Sequence, residues 1–378
     1  MHKKAWFLSF FHYICPMIRR ILSVAAALFA AALLQAQPLR MLVGTYTDDG
    51  AGSGAYLYQF DPADGSCTLL DAEPDALNTS FIIPSADGTL AWACCEFNDG
   101  RQGVYALRVG ERTLDLLNFQ SNCPDEEENI NGNPCNILEL NGFILQANYF
   151  GGSVTLFPLA PDGTLEPLRM DYYFGEKSRI HCCRLTPDGH WLFATDLGCD
   201  AIRRFPVTPG AELPVGRPDF SFPLTPGSGP RHFVFSADGR FCYLLGELGD
   251  TLTVLRYEGG ELAPMQELPA YGGKGHGSAD IHLSPDGRFL YTSHRLREDG
   301  IAIFRVNPGS GQVEPVGYQP TGTHPRNFTL SPDGRWLLCA CRDDDAIEIY
   351  ARDPENGTLI LQKDRTVRLN HPVCVQLF

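Results

Sequence analysis

The sequence predicts an all-β fold: a seven-bladed β-propeller of four-stranded antiparallel blades, closed by pairing its N- and C-terminal segments. Three observations predict it. A turn pair recurs at a near-constant interval. Each recurrence is flanked by short apolar runs. The two chain ends supply strands that lack a hairpin partner of their own.

The turn pair stands at Asp87-Gly88, Asn141-Gly142, Asp188-Gly189, Asp238-Gly239, Asp286-Gly287 and Asp333-Gly334, at intervals of 54, 47, 50, 48 and 47 residues. Asp-Gly and Asn-Gly between apolar runs signal a hairpin, because both central residues tolerate positive φ. A third strand follows in each unit, at residues 103–107, 153–157, 251–255 and 301–304 among others. These segments are rich in β-branched and aromatic residues, as half-buried strands are. Three to four strands in units of this length describe propeller blades.

Six turns make six blades. Residues 41–60 (MLVGTYTDDGAGSGAYLYQF) add two strands without the turn pair, and residues 371–378 (HPVCVQLF) add one more. Pairing the two ends in one blade closes a ring of seven and hides both edges. Residues 37–378 then form a single domain with about 49 residues per blade, in line with the repeat. A β-sandwich or open solenoid does not account for the fixed period. Residues 121–132, with Asp125-Glu126-Glu127-Glu128, read as a solvated loop.

Residues 1–36 read as an export signal. Arg19-Arg20 precedes the apolar run 21–34, and Gln35-Ala36 before Gln37 resembles a cleavage site. The run is shorter than the roughly 20 residues of a membrane span, so no stable anchor is expected after cleavage. Met17 is an alternative start. The expected location is the periplasm or the exterior.

Removing that segment takes away Lys3, Lys4, Arg19 and Arg20, moving the formal charge from −15 to −19. Such an acidic chain argues against nucleic acid as a partner, which needs clustered cations. An anionic ligand requires a local basic pocket. Of 13 cysteines, 12 remain, none in a Cys-x-x-Cys pair. Cys94-Cys95, Cys182-Cys183, Cys242, Cys339 and Cys341 sit in apolar runs, as small core residues do. No disulfide framework is expected.

In a propeller the start of each innermost strand and the end of the second strand share one mouth, and the turns lie at the other. The strand starts carry His181, Arg231, His232, Asp280, His282, Arg326 and Asn327. The strand ends carry Glu96, Asn148, Tyr149, Asp196, Glu247, His294, Arg295 and Arg342. Arg231 and Glu247 fold side by side about the turn at Asp238-Gly239. A lone charge at a strand end is ordinarily a solvated rim residue; this convergence argues instead for a pocket. His190, His276, His324 and His371 receive no role. His181, His232, His282 and His294 match no familiar ligand spacing, so neither metal nor cofactor is expected.

Several stretches taken together resemble the seven-bladed propeller lactonases. They are Val43-Gly44-Thr45-Tyr46-Thr47, Asn148-Tyr149-Phe150-Gly151-Gly152-Ser153, Gly229-Pro230-Arg231-His232 with Glu247-Leu248, Ile281-His282-Leu283-Ser284-Pro285-Asp286-Gly287, and His324-Pro325-Arg326-Asn327-Phe328. That family includes one type of 6-phosphogluconolactonase and the fungal carboxy-muconate lactonizing enzymes. The resemblance implies a catalytic group of His181, Arg231, Glu247 and Arg295. The mouth adds Asn148, His232, His282, Arg326 and Asn327 as expected substrate contacts. The chain departs from the family pattern at Ser293-His294-Arg295, Asp280 and Asn78-Thr79-Ser80.

The function expected is hydrolysis of a sugar δ-lactone, with 6-phosphogluconolactone the default substrate and a monomer the expected state. His181 or Glu247 would act as base, with an arginine on the oxyanion. A muconate-type cycloisomerase and a non-catalytic binding propeller are the alternatives.

Overall fold

The computed structural model describes residues 37–123, 132–272 and 277–378. The expected leader at 1–36, most of the acidic stretch at 121–132, and His276 lie outside the described residues. What is described is a ring of seven sheets. Six run in simple order from the innermost strand outward, and the seventh joins the chain ends.

That joining sheet, blade 1, places Pro372–Leu377 innermost, followed by Leu39–Thr45, Ala55–Asp61 and Ser66–Glu73. The register is antiparallel, with Val43 opposite Val375 and Met41 opposite Leu377. The terminal closure expected from the sequence is therefore present. Blades 2 to 7 begin with the inner strands Thr79–Pro84, Pro134–Leu140, Ile180–Leu185, Pro230–Phe235, Ser278–Leu283 and Pro325–Leu330.

Burial follows position in the blade. In blade 6, Phe289–His294, the second strand, is buried throughout, whereas the outer strand Val313–Pro320 is mostly exposed. A second strand is covered by its own sheet on both edges and by neighbouring blades on both faces. This accounts for its near-continuous apolar sequence. Seven apolar clusters result, one between each pair of adjacent blades. The cluster between blades 7 and 1 packs Met41, Val43, Tyr58 and Phe60 against Trp336, Leu338 and Ile349. Trp336 Nε1 also donates to Pro62 O at 2.9 Å, so the closing interface has a polar staple.

The turns differ in type from the expectation. Only Asn141-Gly142 takes positive φ at both positions, 50° and 79°. At each Asp-Gly pair the glycine alone is left-handed, and a longer loop forms. In blade 5, Ser236 Oγ donates to Asp238 Oδ1 at 2.6 Å, Arg240 N donates to the same oxygen, and Gly239 N donates to Ser236 O. The Ser/Thr two residues before each Asp supplies a local hydrogen-bond ring, so the aspartate stays right-handed. Among the described residues there is no disulfide, and nine of the twelve described cysteines are buried.

Candidate active site

The polar mouth is built by one device repeated around the ring. In each of blades 2 to 7 the ladder between the inner strand and its neighbour slips at the start of the inner strand. The slip falls between Ile180 and Cys182, between Pro230 and His232, and between Pro325 and Asn327. The residues left over are His181, Arg231 and Arg326. A bulged residue is re-aimed out of the sheet's alternation. Three side chains that would otherwise alternate into blade interfaces are thereby freed to face the axis.

Glu247 is the centre of the cluster. Its Oε1 accepts from Arg295 Nη2 at 2.8 Å, and its Oε2 lies 2.8 Å from Arg231 Nε. Arg231 is about 2% exposed, and its Nη1 also donates to Ala279 O. Arg295 Nε donates to Gly277 O at 3.1 Å, and its Nη1 donates to His324 Nε2 at 3.2 Å. Burial would raise the Glu247 carboxyl, but Arg295 and Arg231 outweigh it and hold the group below its usual range. Burial, then the charge of Arg231, brings the Arg295 guanidinium down to about 9, still cationic at neutral pH.

His181 stands beside these charges. Its ring meets those of Tyr149 and His232 edge to face, with centres 5.6 and 5.1 Å apart. Burial, reinforced by Arg231, holds the imidazole well below its ordinary pKa, so it is neutral at pH 7. A second group forms nearby: Arg326 Nη2 lies 3.4 Å from Glu96 Oε2, and Tyr46 Oη donates to that oxygen at 2.9 Å.

One layer deeper, Asp280 accepts from five donors. His232 Nδ1 donates to Oδ1 at 2.8 Å, His282 Nε2 to Oδ2 at 3.0 Å, and Asn327 Nδ2 to Oδ2. The Ile281 and Phe328 backbone amides complete the set. Against the raising effect of burial, His282 and His232 keep this carboxyl well below its usual range. Below it the axis opens toward the turns as a cavity of about 490 Å³, lined in part by Phe81, Val234, Phe235, Arg184 and His282.

The structure thus brings together His181, Arg231, Glu247, Arg295 and His232, with Arg326 close by. Three expected mouth residues sit elsewhere. Asn148 donates to Ser153 Oγ and Thr155 Oγ1 and accepts from Asn122, all within the buried sheet of blade 3 and its surroundings. His282 and Asn327 belong to the deeper layer, because alternation beyond the bulge carries them down the axis. His294 is enclosed by Ser278, Thr292 and Tyr271, and Asp196 pairs with Arg203.

Sequence reasoning missed His324, Tyr46 and the hub role of Asp280. Tyr46 lies within the motif Gly-Thr-Tyr-Thr and His324 opens the motif His-Pro-Arg-Asn-Phe, so a signal existed for both. Among the described residues, no three His, Cys, Asp or Glu side chains gather as a set able to hold a metal ion.

Comparison with known proteins bears on this site. A family model described as "Lactonase, 7-bladed beta-propeller" matches residues 40–377. A 6-phosphogluconolactonase of Formosa agariphila is 32% identical over 84% of this chain and 94% of its own length. That of Bacillus subtilis is 30% identical over 88% and 97%. Among solved structures, a putative 6-phosphogluconolactonase from Bacteroides fragilis superposes with a TM-score of 0.86 at 39% identity, covering 91% of this chain and 99% of that one. The periplasmic gluconolactonase of Pseudomonas aeruginosa gives 0.81 at 31%, covering 90% and 99%.

Proposed function

The chain belongs to the seven-bladed β-propeller lactonases, and from that premise we propose that it hydrolyses a sugar δ-lactone, 6-phosphogluconolactone being the first candidate. The observation that carries this reading is Glu247 holding both Arg231 and Arg295 beside a neutral His181.

That arrangement divides the labour of ester hydrolysis. Glu247 is committed to two guanidiniums and kept ionised, which makes it a poor base and a good clamp. His181, neutral and adjoining, is the better base for water. Water adds to the lactone carbonyl carbon and gives one proton to His181. The carbonyl oxygen becomes an oxyanion facing Arg231 and Arg295. Their charge is already in place and needs no reorganisation. The ring C–O bond then breaks, the ring oxygen takes the proton from His181, and the product acid ionises. Arg326, a third cation near this pair in a chain of net negative charge, suits a phosphate or carboxylate elsewhere on the substrate.

The relative named as a periplasmic gluconolactonase supports a second reading, in which the lactone carries no phosphate. Export directed by residues 1–36 would favour it, since sugar phosphates are cytosolic. Both readings take residues 37–378 as one catalytic domain.

The test is loss of gluconolactone and of its 6-phosphate above the spontaneous rate, with Arg231→Ala beside the unmodified protein. No acceleration on either lactone overturns the hydrolase reading. Unchanged acceleration in the variant overturns the site. The ratio of the two rates decides between the substrates.

A further inference from the structure

Two buried ring nitrogens in this site lack a hydrogen-bond partner: His181 Nδ1 and His232 Nε2. They belong to rings whose centres are 5.1 Å apart, and both side chains are about 95% buried. Leaving a buried polar atom unpaired is costly, so two on adjoining rings call for a common explanation.

The tautomers supply it. Asp280 is ionised and accepts the Nδ1 proton of His232. His232 is neutral, its pKa pushed down to about 4 by burial and by Arg231 against the opposing pull of Asp280. A neutral imidazole protonated at Nδ1 presents a lone pair at Nε2. His181 is neutral too, and its one ring proton sits on one of two nitrogens.

We propose that Asp280, His232 and His181 form a polarised chain in which His181 Nδ1 donates its proton to one bridging water molecule, which in turn donates to His232 Nε2. This chain fixes the lone pair of His181 on Nε2 as the basic nitrogen of the site. Asp280 and His232 are then positioning residues that act through His181. The inference deepens the hydrolase reading and rests on it only for the kinetic part of the test.

The surroundings agree with this polarity. His232 is flanked by Phe81, with ring centres 6.3 Å apart, and the charges of Arg231 and Arg184 disfavour its protonation. Asp280 cannot rotate away from its role, because His282, Asn327 and two backbone amides hold both of its oxygens. The geometry follows the logic of a Ser-His-Asp triad, in which a carboxylate sets a tautomer without taking the proton itself. Here a second histidine stands where the nucleophile's hydroxyl would be.

The experiment is side-chain nitrogen NMR of histidine-labelled protein at pH 7.5, alongside kinetics of Asp280→Asn. In the unmodified protein both His181 and His232 are expected as the neutral Nδ1–H form. Finding His181 protonated at Nε2 overturns the proposal whether or not any lactone is hydrolysed. In Asp280→Asn, kcat is expected to fall about 100-fold or more with KM nearly unchanged, since base catalysis contributes about 10²–10⁴-fold. An unchanged kcat in a folded Asp280→Asn protein also overturns the proposal. His232→Gln, whose amide oxygen still accepts, is expected to retain at least tenfold more activity than His232→Leu; equal losses in the two overturn it. If the tautomers are as stated and no lactone is turned over, the chain stands and the hydrolase reading falls.

Discussion

Arg231 and Glu247, sixteen positions apart and on opposite strands of one hairpin, meet at 2.8 Å between Nε and Oε2. Because Arg295 from the next blade holds the other oxygen, one carboxylate ties two blades together at the mouth. Replacing Glu247 by Gln leaves two buried guanidiniums without a counter-charge, at a cost of about 3–5 kcal/mol. The expected result is a markedly lower melting temperature together with a loss of kcat, read by thermal unfolding and lactone assay. A variant with wild-type stability would show that the pair is not the clamp described.

Arg231→Lys is expected to fail almost as badly as Arg231→Ala. A lysine presents one ammonium, and Arg231 divides its fork between Glu247 and the carbonyl of Ala279. Loss of kcat/KM of about 10²–10³-fold is expected in both, matching removal of an oxyanion donor. Rescue by lysine would reduce the role of Arg231 to charge alone.

Arg326→Ala separates substrate ends. With Arg326 paired only loosely to Glu96, its removal is expected to raise KM for a phosphorylated lactone tenfold or more while leaving kcat and the free lactone little changed. Equal effects on both lactones would remove Arg326 from phosphate recognition.

Acid lability follows from the buried histidines. His232 is held near pKa 4, and His294 and His324 near 3, in each case by burial first; His181 is shifted the same way. A group with a depressed folded pKa contributes stability that is present above its unfolded value. Here that value is 6.5, and the contribution is lost as pH falls toward the folded one. Each such histidine costs about 1.4 kcal/mol per pH unit in that window. Melting temperature is expected to be flat between about pH 7 and 8 and to drop steeply between about 6 and 4, before the carboxylates Glu247 and Asp280 titrate. A flat profile down to pH 4 would contradict the burial of these rings.

Deleting residues 372–378 removes the innermost strand of blade 1 and exposes the edge of Leu39–Thr45. The expected outcome is aggregation or loss of cooperative unfolding, checked by size-exclusion chromatography and calorimetry. A soluble, cooperatively melting truncation would show that the six remaining blades hold the ring alone.

Much of this was legible in the chain because the relevant physics is local. A hairpin needs a turn residue and two apolar runs, so the period of Asp-Gly pairs counts blades. Antiparallel return then places Arg231 beside Glu247 without any tertiary information. The same reasoning misjudged Asn148, His282 and Asn327, because it assigned every polar residue near a strand end to the mouth. Whether such a side chain faces the axis, a blade interface or a deeper layer depends on the ladder slips at His181, Arg231 and Arg326. No residue type marks a slip of that kind.

The sequence by itself determined the blade count, the closure by both termini, and which mouth is charged. Each of these rests on neighbours in the chain or on the requirement that no edge remain open. Only the tertiary structure decided that Glu247 serves two arginines, that His324 supports Arg295, and that Asp280 organises two histidines and an asparagine from three blades. The contacts among these that cross from blade to blade join residues 29 to 48 positions apart. Their hydrogen-bond partners are set by how adjacent blades pack, which no single repeat encodes.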